Sequence, residues 1–412
     1  MNKKIRLFKV LVLIVITIFM LSSCAKNNNK ENSININDII DASLLGPYAP
    51  AHASPQPFKD SGAADFVSNI KLGWNLGNTL DAVPWDGFYR YTPNPTVEDY
   101  ESLWVKHFTT QENIDALKNA GFNAIRIPVS WAKAADKDHV IRRDWMERVT
   151  EIVNYAAARD MYIILNTHHD ESIFKFRDAE TEASLQAFAK IWAQIASQFK
   201  NYNEKLIFEG LNEPRTKGSA NEWTGGTVNE RNNLNKHHQV FVDVVRSTGG
   251  NNDKRFLMIS TYAASASLAA VSGLVLPNDK AENKLIVSVH AYSPYDFALN
   301  VRSPVNTWSI DNKDDVSAIT EPIDRVYDLF IKNGVPAIMG EFGAINKNND
   351  EVRGQWAEFY VGYAREKGMP CFLWDNGGFS GDGELFGLIY REDNEIEYPL
   401  YMEGLLRGAG LK

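Results

Sequence analysis

The chain has 412 residues, 44% of them hydrophobic, and a formal net charge of −9, a globular composition with room for one large domain or two modest ones. The acidic balance argues against a nucleic-acid partner, whose polyanion calls for a basic face. Aromatic residues make up 11% of the chain and include 10 Trp, so some of these rings are expected at a surface, stacked on flat apolar faces of a ligand, and the others in the core.

The first element is a sorting signal. Lys3, Lys4, Arg6 and Lys9 precede an apolar run from Val10 to Leu21, the length of a signal-peptide core and too short for an ordinary spanning helix. It ends in Leu21-Ser22-Ser23-Cys24, which resembles a bacterial lipobox, a class in which the cysteine is lipidated and becomes the new N-terminus. Residues 1–24 are therefore expected to be a lipoprotein signal peptide, with Cys24 holding the protein on the outer face of the cell envelope. The polar stretch Ala25 to Ser33 cannot bury a core, and Pro50, Pro55 and Pro57 oppose regular structure up to Lys59. Residues 25–59 are expected to be a flexible spacer and an irregular lead-in that packs along the outside of the domain or stays mobile. Cys371 sits in an apolar run and reads as a buried residue. With Cys24 acylated, no disulfide is expected. No later linker breaks residues 60–412, so one domain is expected there, with a monomer as the default.

That domain alternates short apolar, β-branched runs with longer amphipathic ones. Strands are expected at Lys71 to Leu76, Ala124 to Pro128, Tyr162 to Asn166, Leu206 to Leu211, Phe256 to Ser260, Leu285 to His290, Ala337 to Glu341 and Cys371 to Trp374. Helices are expected at Gln111 to Asn119, Asp144 to Arg159 and Thr181 to Phe199, the last with Leu185, Phe188, Ile191, Trp192 and Ile195 at helical spacing. Strands that are apolar throughout are parallel strands covered on both faces, and eight of them alternating with helices close most simply into an α/β fold of the (β/α)8 TIM-barrel type. An open doubly wound sheet is the competitor, but no glycine-rich fingerprint follows the first strand.

Polar residues gather where the apolar runs end: Asn75 and Asn78, Arg126, His168 and His169, Asn212 and Glu213, His290 and Tyr292, Glu341, Trp374. Barrel active sites are built from the C-terminal ends of several strands. Glu213 follows the fourth strand and Glu341 closes the seventh, so both face one mouth. Two carboxyls across a cleft are what glycosidic cleavage needs, one to protonate the leaving oxygen and the other to attack or to direct water.

These segments resemble glycoside hydrolase family 5, from about Gly73 to Trp374. Asn212-Glu213-Pro214 matches that family's acid/base signature and Glu341-Phe342-Gly343 its nucleophile segment. Gly73-Trp74-Asn75-Leu76-Gly77-Asn78-Thr79-Leu80-Asp81, together with His168-His169, looks like the endoglucanase and xyloglucanase branch. The resemblance implies a retaining endo-β-1,4-glucanase acting on cellulose, xyloglucan or mixed-linkage glucan. Glu341 would be the nucleophile, supported by Arg126 and Tyr292. Glu213 would be the acid/base, with a raised pKa and a hydrogen bond to His290. Asn212 would donate to the sugar 2-hydroxyl. Asn78, Asp81, His168 and His169 would bind sugar hydroxyls, and Trp374, with Trp308 as a further ring, would stack on sugars. The same mechanism on mannan or xylan, and a surface glycan-binding lipoprotein without catalysis, are the alternatives. No cofactor is expected. No catalytic metal is expected either, because neighbours on an extended strand point to opposite faces and His168 and His169 would then not share an ion.

Overall fold

Each of the eight apolar runs becomes one strand of a closed parallel barrel in the order β1 to β8. In the computed structural model, which describes residues 50–412, the strands are β1 Gly73–Leu76, β2 Ala124–Ile127, β3 Tyr162–Asn166, β4 Leu206–Glu209, β5 Leu257–Ser265, β6 Leu285–His290, β7 Ala337–Phe342 and β8 Cys371–Asp375. Every strand residue is buried except Tyr162, Ser265 and Leu285, which is why the runs carry no polar alternation. Closure comes from β1 pairing with β8, Asn75 opposite Trp374. The expected signal peptide, Cys24 and the spacer up to residue 49 lie outside the described residues.

The outer ring is α1 Gln111–Asn119, α2 Arg143–Ala158, α3 Asp178–Phe199, α4 Val228–Ser247, α5 Leu268–Ser272, α6 Lys313–Leu329, α7 Asp350–Glu366 and α8 Pro399–Gly408. The apolar stripe of α3 faces inward, with Leu185, Phe188, Ile191, Trp192 and Ile195 each at most 1% exposed. A capping box of Thr227 and Glu230 opens α4. Helices α7 and α8 pack so closely that a Cβ on Gly404 would lie 2.0 Å from the Gly354 carbonyl oxygen.

The floor of the barrel is sealed by the short helix Ala63–Val67. Its Phe66 stacks on Phe256 at 4.0 Å and meets Tyr162 edge-on at 5.3 Å. With Ala63, Val67 and Ile70 it joins an apolar cluster containing one residue from each strand but the first, Ile164, Ile207 and Phe372 among them. Residues 50–59 take the packed alternative of the two expected for them. Ala51 N–H donates to Gln198 O at 2.9 Å, Gln56 N–H donates to Asn201 O at 2.8 Å, and the Asn251 amide donates to Gln56 O at 2.8 Å.

β5 departs most from expectation. Its pairing with β6 shifts register between Ser260 and Ser265, and Ala263 and Ala264 take left-handed φ values of 53° and 47°. Alanine seldom adopts this conformation, so nothing in the sequence signals the bulge. It lets Ala263 N–H donate to Pro214 O at 2.8 Å and brings the Tyr262 hydroxyl to Thr216 N–H at 2.9 Å, bracing the loop that carries Glu213.

Candidate active site

The mouth is organised around Arg126 of β2, which is fully buried. Its Nε donates to Glu209 Oε2 at 2.7 Å. Nη1 donates to Asn75 Oδ1 at 2.9 Å and Glu341 Oε1 at 2.7 Å, and Nη2 donates to Asn212 Oδ1 at 2.7 Å. Burial works against the guanidinium charge, but the Glu209 and Glu341 carboxylates outweigh it and raise its pKa. The second oxygen of Glu341 accepts the Tyr292 hydroxyl at 2.9 Å. Burial, and then the charges of Glu341 and Glu213, push the Tyr292 phenol well up, so it keeps its proton and stays a donor. Each Glu341 oxygen thus accepts a hydrogen bond from a fixed donor.

Glu213, on the loop after β4, accepts from His290 Nδ1 at 3.0 Å. Arg215 donates to the Glu213 backbone carbonyl at 2.9 Å and lies 3.5 Å from its Oε2. One carboxylate oxygen of Glu213, one of Glu341 and a ring nitrogen of His290 all fall within 4.8 Å of one another. Oxygens this close fit the spacing of a retaining pair, whose carboxyls stand about 5–5.5 Å apart.

The raised pKa expected of Glu213 is corrected. Burial does act upward and is the largest single influence. The His290 hydrogen bond, followed by the charges of His290, Arg215 and His169, together outweigh it and hold the carboxyl below its ordinary value.

His168 and His169 also differ from expectation. They lie beyond the end of β3, where strand alternation no longer applies, and their rings converge edge-to-face at 4.5 Å. Donor atoms of Asp81, His168 and His169 come within 4.8 Å of one another, yet they have other partners. Asp81 accepts backbone N–H from Asn78 at 3.0 Å and Thr79 at 2.7 Å, and His168 Nδ1 faces the Asn166 amide at 3.2 Å. Burial, and then neighbouring charge, hold His168 well below the ordinary histidine value, so it is neutral. Burial opposes charge on His169 as well, but the bond to Glu171 and the nearby Asp81 outweigh it and raise its pKa.

Asp81 is fully buried, so it shapes the loop that presents Asn78 and offers no free oxygen to a sugar. Trp374, near the end of β8, is 8% exposed and packs with Ile345 and Phe386. It lies parallel to His168 at 5.8 Å and 2° and so close to the β1 turn that a Cβ on Gly77 would stand 2.9 Å from it. Trp308 is not in the cleft. It is 5% exposed, packs on Phe359 of α7 at 5.3 Å and donates to Asp315 O, because the loop after β6 folds outward over the helices.

Sequence reasoning missed Glu209, whose carboxylate is shared by Arg126, Asn166 and Ser288. It also missed Arg215, which ties Glu213 to Glu222 at 3.1 Å, and Trp104, whose ring lies 5.8 Å from His169. Arg215 carried a usable signal, a fixed cation two residues after the proposed acid. Glu209 carried none, being a charge inside an apolar strand.

Residues 89–380 match the family model described as cellulase (glycosyl hydrolase family 5). The chain belongs to glycoside hydrolase family 5. Among relatives of this family 5 barrel, endoglucanase B of Neocallimastix patriciarum is 42% identical over 379 residues, covering 92% of this chain and 76% of that protein. The cellulase/esterase CelE of Acetivibrio thermocellus is 38% identical over 415 residues, all of this chain but 48% of that longer protein. Among solved structures, a broad-specificity GH5-4 endoglucanase from Ruminococcus champanellensis with bound cellotriose superposes with a TM-score of 0.81 at 41% identity, over 85% of this chain and 100% of that one.

Proposed function

We propose that this family 5 hydrolase is a retaining endo-β-1,4-glucanase that cuts soluble β-glucan chains by double displacement. The carrying observation is the Glu341 carboxylate held by Arg126 and Tyr292, with Glu213 and His290 within 4.8 Å. Relatives named endoglucanases, one of them with cellotriose bound, support the choice of polymer.

In the first step Glu341 attacks the anomeric carbon and the glycosidic C–O bond breaks. The leaving oxygen takes its proton from the carboxyl of Glu213, which His290 holds in place across their 3.0 Å hydrogen bond. Glu341 becomes a glycosyl ester. Glu213, now a carboxylate, draws a proton from water, the hydroxyl attacks the anomeric carbon, and Glu341 leaves as a carboxylate into its two hydrogen bonds. Asn212 has its carbonyl fixed by Arg126, which leaves its amide free to donate to the sugar 2-hydroxyl. Trp374 is the platform beneath that sugar, and Asn78, His168 and His169 bind hydroxyls on its non-reducing side. Attachment to the outer face of the envelope through a lipid on Cys24, with the catalytic body a monomer, completes the proposal.

The test is reducing-end release from a panel of soluble β-glucans, mannan and xylan by the wild type, Glu341→Gln and Glu213→Gln. The wild type should cut a β-glucan best. Each variant should fall by at least roughly 10²–10⁴-fold, and the first product should carry the β-anomeric configuration by NMR. An α-configured first product would refute the double displacement.

A further inference from the structure

The connection from β1 to α1, residues 77–110, is the longest strand-to-helix loop at the mouth, and it leaves three large rings well exposed. Trp85 is 54% exposed, Tyr89 49% and Tyr91 77%. Two of them are braced from beneath. Trp85 and Tyr89 each meet the buried Phe88 edge-to-face, at 5.0 and 5.2 Å. Phe88 stacks on Tyr100 at 6.3 Å, and Tyr100 reaches the fully buried Trp145 at 5.9 Å. The loop is further fixed by the capping box of Thr96 and Asp99. Beside these rings opens a groove of about 910 Å³ lined by Tyr89, Pro95, Tyr100, Asp136, Arg142 and Asp144.

The loop that carries the rings starts at the cleft. Ala82, next to the buried Asp81, has its carbonyl held by Lys133. Trp85 follows three residues later, so its Cα lies no more than about 11 Å from that of Ala82. Further along the same loop, Trp104 touches His169.

We propose that Trp85, Tyr89 and Tyr91, with the groove beside Tyr100, form an accessory glycan-binding shelf that holds a β-glucan chain outside the catalytic cleft. The proposal rests on the glucanase reading above. A β-linked glucan is a flat ribbon with apolar C–H faces and hydroxyl edges. Exposed rings suit those faces, and the groove's tyrosine hydroxyls and mixed charges, without an excess of cations, suit a neutral polyhydroxyl ligand. The shelf shares its loop with Trp104, which lies beside His169, one of the residues assigned above to the non-reducing side, so a polymer leaving the cleft on that side could continue onto the shelf while a short oligosaccharide would not reach it.

The experiment uses the triple variant Trp85→Ala, Tyr89→Ala, Tyr91→Ala. In a Glu341→Gln background, retardation in native gels containing mixed-linkage β-glucan or xyloglucan should weaken about tenfold. In the active background, kcat/KM on cellotetraose should be unchanged, which also reports an intact fold, while kcat/KM on the polymer falls. Unchanged retardation overturns the shelf even where the wild type is a good glucanase. A wild type that cleaves no β-glucan sinks the glucanase reading instead. Sedimentation showing self-association that the triple variant abolishes, with polymer binding intact, would make the rings an interface between copies and overturn the proposal.

Discussion

Arg126 gives four acceptors one donor fork: two carboxylates and two side-chain amides, all shielded from water. A lysine ammonium carries the same charge but cannot meet that planar pattern. Arg126→Lys should cost about 1–3 kcal/mol in unfolding free energy, and kcat/KM should fall by about 10²-fold as Glu341 shifts. Unfolding titrations and β-glucan kinetics check both, and a fully active lysine variant would show that charge alone suffices. At this scale the sequence was most legible where the chemistry dictates residue type. Glu213, Glu341, Arg126, His290 and Tyr292 could be picked out because barrel topology brings strand ends together whatever their separation in the chain. What could not be read was direction and environment. Asp81 turns back onto its own backbone and Trp308 turns out over α7. The charge state of Glu213 depends on Arg215 and His169, which only the folded loops bring near.

Elements were legible in type, and their ends less so. The strand runs agree with the observed strands to within two residues at most ends, because parallel strands buried on both faces are uniformly apolar. β5 overran by five residues through a bulge at Ala263 and Ala264 that no composition marks. The β1 loop holds a second hidden feature. Lys133 donates to the carbonyls of Leu80, at 2.8 Å, and Ala82, either side of Asp81, and burial pulls its pKa from 10.5 to about 7. Between those two values the unfolded chain binds a proton that the folded chain releases. Stability should therefore rise with pH across that window, by at most about 1.4 kcal/mol per pH unit. The gap in unfolding free energy between wild type and Lys133→Met should widen in the wild type's favour from pH 7 to 10, and a flat difference would refute the low pKa. In the outer ring, the α7–α8 contact leaves no space for a methyl group, since the atoms a Cβ on Gly404 would strike are backbone. Gly404→Ala should lower stability by about 3 kcal/mol through overpacking, visible as an earlier thermal transition. An unchanged transition would mean the helices separate freely.

At the scale of the whole molecule, the barrel has a sealed floor and an open mouth. If Cys24 carries a lipid, Cys24→Ser should move the mature protein from the membrane fraction to the soluble one without altering its kinetics on β-glucan. Wild type recovered in the soluble fraction with an unmodified cysteine would rule the anchor out. The described chain begins at this floor, where residues 51 and 56 bond beneath β4. It also ends there, where Leu411 shares a groove with Val67, Ile70 and Pro370. A support coupled near either of these points would grip the enzyme by its base and leave the working end facing outward. Fibres too stiff to enter any pore could then be fed to an immobilised layer of the protein, and each molecule in that layer would present the same aspect to them.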